Sequence, residues 1–270
     1  MSSHIILLLL LLLALGQFFW LTNNKPSVSI LDVGQGDAIL IQTSEYKNIL
    51  IDAGPDGKVV DELSKKMNFF NHNIDLFILT HPHSDHFGGF FDVIQKYPVK
   101  QVILTGVTSD DPLYEEFLGE IKKANIPISF PKSDKDIQIG RNLFIDFIYP
   151  FSGQSLVGQK ATNANNTSIV VRILDKSYKP LITLMGDTEN GLEREILLSG
   201  QDISANILKL GHHGSRTATS NALLQAAGSE TAVISAGKDN QFGHPHPETM
   251  EKIKDLDVRQ TVDGTVEFNF

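Results

Sequence analysis

Between residues 76 and 89 the chain reads Leu76-Phe77-Ile78-Leu79-Thr80-His81-Pro82-His83-Ser84-Asp85-His86-Phe87-Gly88-Gly89, an apolar run that passes directly into three imidazoles and a carboxylate. At this chain's His and acid frequencies such a cluster arises by chance about once in a thousand sequences, so it points to chemistry at the end of a buried strand. His81 and His83 are two apart, so in an extended segment both rings point to the same side and can share one cation. Asp85 and His86 fall where the chain turns into a helix, which aims them at a second cation beside the first. The plainer reading is a polar surface loop. Because the sequence contains no Cys, disulfides, thiolate metal sites, iron–sulfur clusters and Cys nucleophiles are excluded. Any metal sits on nitrogen and oxygen, a donor set suited to Zn, Mn or Fe.

Two further strand ends carry ligand-type residues. Leu181-Ile182-Thr183-Leu184-Met185-Gly186-Asp187 is an apolar run ending in a carboxylate. Such a carboxylate can bridge two cations, although alone it also suits a helix N-cap for Glu189 onward. Leu208-Lys209-Leu210-Gly211-His212-His213-Gly214-Ser215 is again a strand running into adjacent His residues, and His244 with His246 forms a third cluster. Three strand ends bearing donors are what a site built on one sheet edge requires.

The 41% of hydrophobic residues supply a core and exclude a mainly disordered chain. Residues 25–270 contain no long low-complexity run, charge block or repeat and read as one domain. Strands are expected at 28–31, 38–42, 48–51, 76–80, 101–104, 143–148, 168–174, 181–185, 207–210, 232–235 and 266–270. Helices are expected at 85–97, 112–124, 189–198 and 247–256, with Pro112 at the first turn of the second. Early strands follow one another directly and later ones alternate with helices. That mixture suits an α/β (α+β) arrangement of two mixed sheets covered outside by helices better than a simple doubly wound sheet.

Residues 1–24 differ. From 5 to 21 runs an uncharged, Leu-rich stretch of 17 residues, at the short end of what crosses a bilayer as a helix. It lacks a basic start and a small-residue cleavage site, so an uncleaved N-terminal hydrophobic anchor is expected rather than a removable signal. The expectation is a membrane-anchored protein with its main domain outside the cytoplasm, the alternative being a secreted one. The chain holds 23 basic and 32 acidic residues, a net charge of −9. Non-specific nucleic-acid binding rests on Lys and Arg neutralising phosphates, so there is no broad electrostatic footprint for duplex and any phosphate must be held locally.

His81-Pro82-His83-Ser84-Asp85-His86, Gly186-Asp187 and Gly211-His212-His213-Gly214-Ser215 together resemble the metallo-β-lactamase fold, an αββα sandwich of two mixed β-sheets flanked by helices with a dinuclear site between the sheets. Leu31-Asp32-Val33-Gly34-Gln35-Gly36-Asp37-Ala38, Asn165-Asn166-Thr167-Ser168-Ile169-Val170 and Gly243-His244-Pro245-His246 are similar to the hydrolase domain of ComEC-type competence DNA-uptake proteins. The resemblance runs from about residue 27 to the C-terminus. It implies two divalent ions, Zn or Mn, with His81 and His83 on the first, Asp85 and His86 on the second, Asp187 bridging and His213 completing the second. His213 is chosen over His212 because a ligand His followed directly by Gly is the usual form at that motif. Many members of the fold supply another His to the first metal, yet no His lies between residues 87 and 211. Asn165 or Asn166 stands where it is expected, and an amide oxygen is a weaker ligand that leaves room for water or a harder ion such as Mn.

The implied activity is metal-dependent hydrolysis by a metal-bound hydroxide. A phosphodiester comes first, making the chain a phosphodiesterase or nuclease, with DNA the leading polymer and phosphorylated cell-wall material a further candidate. Asp85, His212 and His244 are the candidate catalytic residues, the two histidines suited to hold a non-bridging oxygen or protonate the leaving group; His244 also suits loop packing before Pro245. Asp32, Asp37 and Asn166 are candidate substrate contacts, Asp32 and Asp37 flanking Gly34 and Gly36 in a turn that is otherwise structural. Asp52 resembles the fold's internal acid that steadies the metal loops. ComEC-type proteins join this domain to many membrane helices that form the DNA path, so this chain would need a membrane channel partner to conduct DNA. The alternatives are lactam or lactone opening and a non-catalytic metal-binding accessory module.

Overall fold

In the computed structural model, which describes Ile5 and residues 25–68, 71–131 and 135–270, the apolar runs become the strands of two stacked sheets. The first contains β1 (Ser27–Ile30), β2 (Ile39–Gln42), β3 (Asn48–Ile51), β4 (Leu76–Ile78), β5 (Val102–Ile103), β6 (Ile128–Ser129) and β14 (Val266–Asn269), ordered β14-β1-β2-β3-β4-β5-β6. The second contains β7 (Ile137–Ile139), β8 (Leu143–Tyr149), β9 (Val170–Asp175), β10 (Pro180–Leu184), β11 (Ile207–Lys209), β12 (Thr231–Ile234) and β13 (Asp257–Gln260), ordered β13-β12-β11-β10-β9-β8-β7. Neighbours from β14 to β3 are antiparallel and those from β3 to β6 parallel. In the second sheet β13 to β10 run parallel and β10 to β7 antiparallel. Both sheets are mixed, as the strand–helix sequence predicts.

Packing follows from which faces the strands must bury. Val28, Ile41, Ile49 and Ile78 of the first sheet meet Ile145, Ile173, Ile182 and Val233 of the second in the inter-sheet core. β4 buries both faces, Leu76 and Ile78 inward and Phe77 outward, so its sequence shows no polar alternation. Outside the first sheet lie α1 (Lys58–Lys66), α2 (Ser84–Phe87), α3 (Phe90–Lys96) and α4 (Pro112–Lys123). Their Val59, Leu63, Phe87, Phe90 and Phe117 pack with Leu40, Leu50 and Phe77. Outside the second lie α5 (Asn190–Ser199), α6 (Asn221–Ala227) and α7 (Pro247–Lys252), where Leu192, Ile196 and Leu223 pack with Leu208 and Ile234. The result is an αββα sandwich. α4 shows the local logic: the Asp111 side chain accepts from the Leu113 N–H, Pro112 opens the helix, and Tyr114, Phe117 and Ile121 bury one stripe.

The helix expected at 85–97 is two helices. Gly88 and Gly89 lie so close to the 53–56 loop that a Cβ would come within 2.1 Å of the Pro55 carbonyl oxygen and 2.2 Å of the Ala53 carbonyl oxygen. That loop also captures hydrogen bonds at the break, Ala53 N–H to the His86 carbonyl and Gly89 N–H to the Gly54 carbonyl. α1, α6, β6, β7 and β13 had no counterpart in the sequence reading. β6 and β7 are two and three residues long, and β6, β7 and β13 lie at sheet edges with largely open faces, where hydrophobic periodicity is weakest. The hydrophobic segment expected as an anchor lies, Ile5 apart, outside the described residues. Among the described residues no helix is long and apolar enough to cross a membrane.

Candidate metal centre

Five strands deliver their carboxyl ends to one edge of the sandwich: Asp52 follows β3, His81 follows β4, Asp187 follows β10, His213 follows β11 and Ser235 follows β12. Backbone bonds join the loops, the Ile169 N–H donating to the Thr80 carbonyl at 2.9 Å and the His212 N–H to the Gly186 carbonyl at 3.2 Å. Gly36 lets a further loop close in, because a Cβ there would stand 2.2 Å from the Asp85 carbonyl oxygen. His212 and His213 both adopt left-handed backbone, with φ of 46° and 53°. Such strain persists only where surrounding contacts over-determine it, as these loops do.

Four donors converge. His86 Nε2 lies 3.2 Å and His213 Nε2 3.3 Å from Asp187 Oδ2, while Asp85 Oδ2 is 3.9 Å from His86 Nε2 and 3.3 Å from His213 Nε2. Ligand atoms of Asp85, His86, Asp187 and His213 all fall within 4.8 Å of one another. On the opposite ring edges, His86 Nδ1 is 2.7 Å from Asp52 Oδ2 and His213 Nδ1 is 2.9 Å from the Ser235 carbonyl. Those partners take the Nδ1 hydrogens and turn each Nε2 toward the centre, the arrangement that orients metal-ligating imidazoles. Asp52 is itself anchored by the Thr80 N–H and hydroxyl at 2.8 Å and 2.7 Å.

A divalent cation fits this set. His86 Nε2, His213 Nε2 and Asp187 Oδ1 are buried without a hydrogen-bond partner. An unsatisfied buried polar atom costs about 1–3 kcal/mol, and an ion held between the two imidazoles and the Asp187 carboxylate would satisfy both ring nitrogens. Next to it, His81 Nε2 lies 3.0 Å from His83 Nδ1 and 3.8 Å from Asp187 Oδ2. A second donor group therefore shares the same carboxylate. Asn165 Oδ1 is likewise buried without a partner.

The electrostatics point the same way. Burial disfavours charge on His86 and His213, yet Asp187 and its neighbours outweigh it and hold both imidazoles well above the ordinary histidine range. Burial opposes the charge of Asp187 too, but His213 and His86 pull it well below the carboxylate range. Burial, reinforced by His86, drives His81 well below the ordinary histidine range. Together these carboxylates draw positive charge into a buried pocket.

The remaining candidates take varied places. His212 sits at the rim, its Nδ1 3.1 Å from Glu189 Oε1 and the amide of Asn165 3.4 Å from its Nε2. His244 packs 5.3 Å from the His212 ring and 6.1 Å from that of His213, and burial, with His213, His212 and His246, holds it down to about 4. Three expected substrate contacts stand elsewhere. Asp37 is 1% exposed and ion-paired with the fully buried Lys209, so the fold has enclosed it. Asp32 accepts from the Gly34 N–H and pairs with Lys58, holding the turn. Asn166 accepts from the Glu189 N–H at the start of α5, and Asn165 takes the place beside the histidines. Sequence reasoning passed over Lys209, although a charged residue inside the apolar run Ile207-Leu208-Lys209-Leu210 was its available signal. It also passed over Ser168, whose hydroxyl accepts from the Asp187 N–H at 3.0 Å.

Comparison with known proteins places this geometry. A family described as "Metallo-beta-lactamase superfamily" matches residues 31–238. ComE operon protein 3 of Bacillus subtilis (strain 168) is 25% identical over 268 residues, covering 92% of this chain and 33% of the relative. Competence protein ComA of Neisseria gonorrhoeae is 26% identical over 250 residues, covering 91% and 32%. Exodeoxyribonuclease WalJ of Streptococcus pneumoniae serotype 2 is 37% identical over 70 residues, 26% of each chain. The chain thus spans about a third of the length of the competence relatives. Among solved structures, the metallo-beta-lactamase fold protein YhfI from Bacillus subtilis superposes with a TM-score of 0.56 at 13% identity, covering 90% of this chain and 100% of that one. That likeness is one of fold.

Proposed function

The chain belongs to the metallo-beta-lactamase superfamily, and from that membership we propose that it hydrolyses phosphodiesters with the help of divalent metal, single-stranded DNA being the leading polymer. The observation that carries this reading is the convergence of Asp85, His86, Asp187 and His213 with three of their atoms buried and unpartnered. Asp85, His86, Asp187 and His213 would hold one ion, and a second would rest on His81, His83 and Asp187, with Asn165, whose amide oxygen is buried without a partner, as a further donor. When bound, such ions polarise an ester oxygen and make a coordinated water acidic enough to ionise near neutral pH, as Zn or Mn does.

The chain's own groups supply the rest. Asp52 and the Ser235 carbonyl keep His86 and His213 turned toward the centre. His212, held by Glu189 and Thr217, presents its ring at the rim, placed to hydrogen-bond a non-bridging oxygen. His244, neutral at physiological pH, stands next to it as a hydrogen-bonding and packing surface. The names of ComA and WalJ, a competence protein and an exodeoxyribonuclease, support a nucleic-acid substrate. By the same reading residues 5–21 anchor the chain and the catalytic domain works outside the cytoplasm beside a membrane channel.

The full chain loaded with Mn or Zn should cleave bis(p-nitrophenyl) phosphate, and Asp187→Ala should lower that rate about 100-fold or more, since even residues that only orient metal ligands cost 10- to 100-fold. Opening of lactams without any diester cleavage overturns the substrate class. A folded sample that retains no transition metal after reconstitution, read by elemental analysis, overturns the enzyme.

A further inference from the structure

The loop from residue 237 to 246 holds an aromatic ring in the open beside the metal centre. Phe242 is 54% exposed, and its ring stacks on that of His244 at 5.7 Å with 23° between planes. His244 in turn lies 6.1 Å from His213. Two ring-to-ring steps, of 5.7 Å and 6.1 Å, therefore separate the Phe242 ring from the His213 ring of the candidate centre.

The ring is held, not trailing. Asn240 organises the loop through every hydrogen-bonding position of its amide: Oδ1 accepts from the Phe242 N–H at 3.1 Å and the His244 N–H at 3.0 Å, and Nδ2 donates to the carbonyls of Gly237 at 2.9 Å and His244 at 2.6 Å. Gln35 clamps the same loop, Oε1 accepting from the Gly237 N–H and Nε2 meeting His244 Nδ1. A large apolar ring that a built loop keeps half in water is ready for a partner with a flat apolar face, and little freedom is lost when that partner arrives.

We propose that Phe242 is a stacking platform for a nucleobase flanking the phosphodiester held at the metal centre, so that the site takes single-stranded nucleic acid. The proposal rests on the phosphodiesterase reading for the position of the phosphate. Net charge makes the contact matter: with 23 basic against 32 acidic residues the protein as a whole repels phosphates, and stacking is an attraction that charge does not set. Exposed Lys238, in the same loop, and Arg216, whose N–H donates to His246 Nδ1, add local cations at this rim. Every base has a π-face, so recognition here is indifferent to sequence, and a duplex, whose bases are already stacked, gains nothing from it.

The test crosses the ring with the base. Full chain loaded with Mn cleaves a short oligothymidylate or the same strand built from abasic tetrahydrofuran units, comparing wild type, Phe242→Ala and Phe242→Trp. For the thymidylate strand, Phe242→Ala should lower kcat/KM about 5- to 150-fold, through KM, and Phe242→Trp should restore it. For the abasic strand all three proteins should be equal. Unchanged cleavage of thymidylate by Phe242→Ala, or an equal loss on both strands, overturns the platform. If the wild type cleaves neither strand, the phosphodiesterase reading fails on DNA, and calorimetry of the same proteins with thymidine 5′-monophosphate and deoxyribose 5-phosphate decides the stacking alone: only the nucleotide should lose affinity in Phe242→Ala, and equal behaviour of the two ligands overturns the inference.

Discussion

Lys209 ties three loops with one side chain: its ammonium pairs with Asp37, reaches the Gly186 carbonyl, and through Asp37 faces His213, whose Nδ1 is 3.5 Å from Asp37 Oδ1. Burial alone would raise the Asp37 carboxyl; Lys209, then His213 and His86, bring it down to about 2. Removing one member of a buried pair leaves an uncompensated charge, so Lys209→Met should cost about 3–5 kcal/mol in urea unfolding. Adding Asp37→Asn should recover much of that loss, and a single-variant cost below about 1 kcal/mol would show that water reaches the pair. Asp52 acts on the centre through His86. Asp52→Asn should therefore weaken Mn binding about 10- to 100-fold by calorimetry while the fold persists. Of these residues, Asp52 was readable from Ile51-Asp52-Ala53-Gly54, whereas the enclosure of Asp37 was not, since its partner stands 172 positions away.

At the scale of elements, the loop 53–56 and the Gly88-Gly89 break determine where α2 sets down Asp85 and His86. Gly88→Ala places a methyl against the Pro55 carbonyl, and overpacking of that kind should cost about 1–3 kcal/mol and weaken metal binding together. Gly119→Ala is its counterpart inside α4, where a Cβ meets nothing within 4 Å, and should stabilise by about 0.5–1 kcal/mol. At the other end of the sheet, Asp75 accepts from the Asn48 N–H at 3.0 Å and pairs with Lys100 at 2.7 Å and Lys47 at 3.3 Å, joining the starts of β3, β4 and β5. Burial opposes its charge, but Lys100, the Asn48 N–H and Lys47 prevail and hold it below the ordinary carboxylate range. The native chain then binds fewer protons there than the unfolded chain, so Asp75 adds stability that is present above about pH 4 and fades as the pH falls through the depressed value. Asp75→Asn should flatten that acid limb and cost about 1 kcal/mol at pH 7, measured by unfolding at a series of pH values. Strands with both faces covered were plain in the sequence because covering leaves an unbroken apolar run. The helix break was not, because Gly88 and Gly89 are shaped by a loop some thirty residues earlier.

For the molecule as a whole, the candidate donors come from the ends of both sheets, Asp85 and His86 from α2 after β4, Asp187 and His213 from the segments after β10 and β11. An ion bound by all four would staple the sandwich. At 100 times its Kd, Mn should stabilise the fold by about 2.7 kcal/mol and raise Tm by about 5–10 °C, chelator should reverse this, and Asp187→Ala should abolish it. Equal melting with and without metal would mean that the ion bridges nothing. By itself the sequence determined that imidazoles and carboxylates stand at strand ends and that, in a chain without Cys, any metal sits on nitrogen and oxygen, because these are local facts of spacing and composition; the choice of His213 over His212 came from the family resemblance. Only the tertiary structure decided which of two neighbouring asparagines faces the histidines, that Asp37 is sealed against Lys209, and that Phe242 stands open at the rim. Periodicity records how much of a residue is buried; which residue buries it depends on strands and loops meeting across two sheets, and that meeting leaves no mark on the order of the letters.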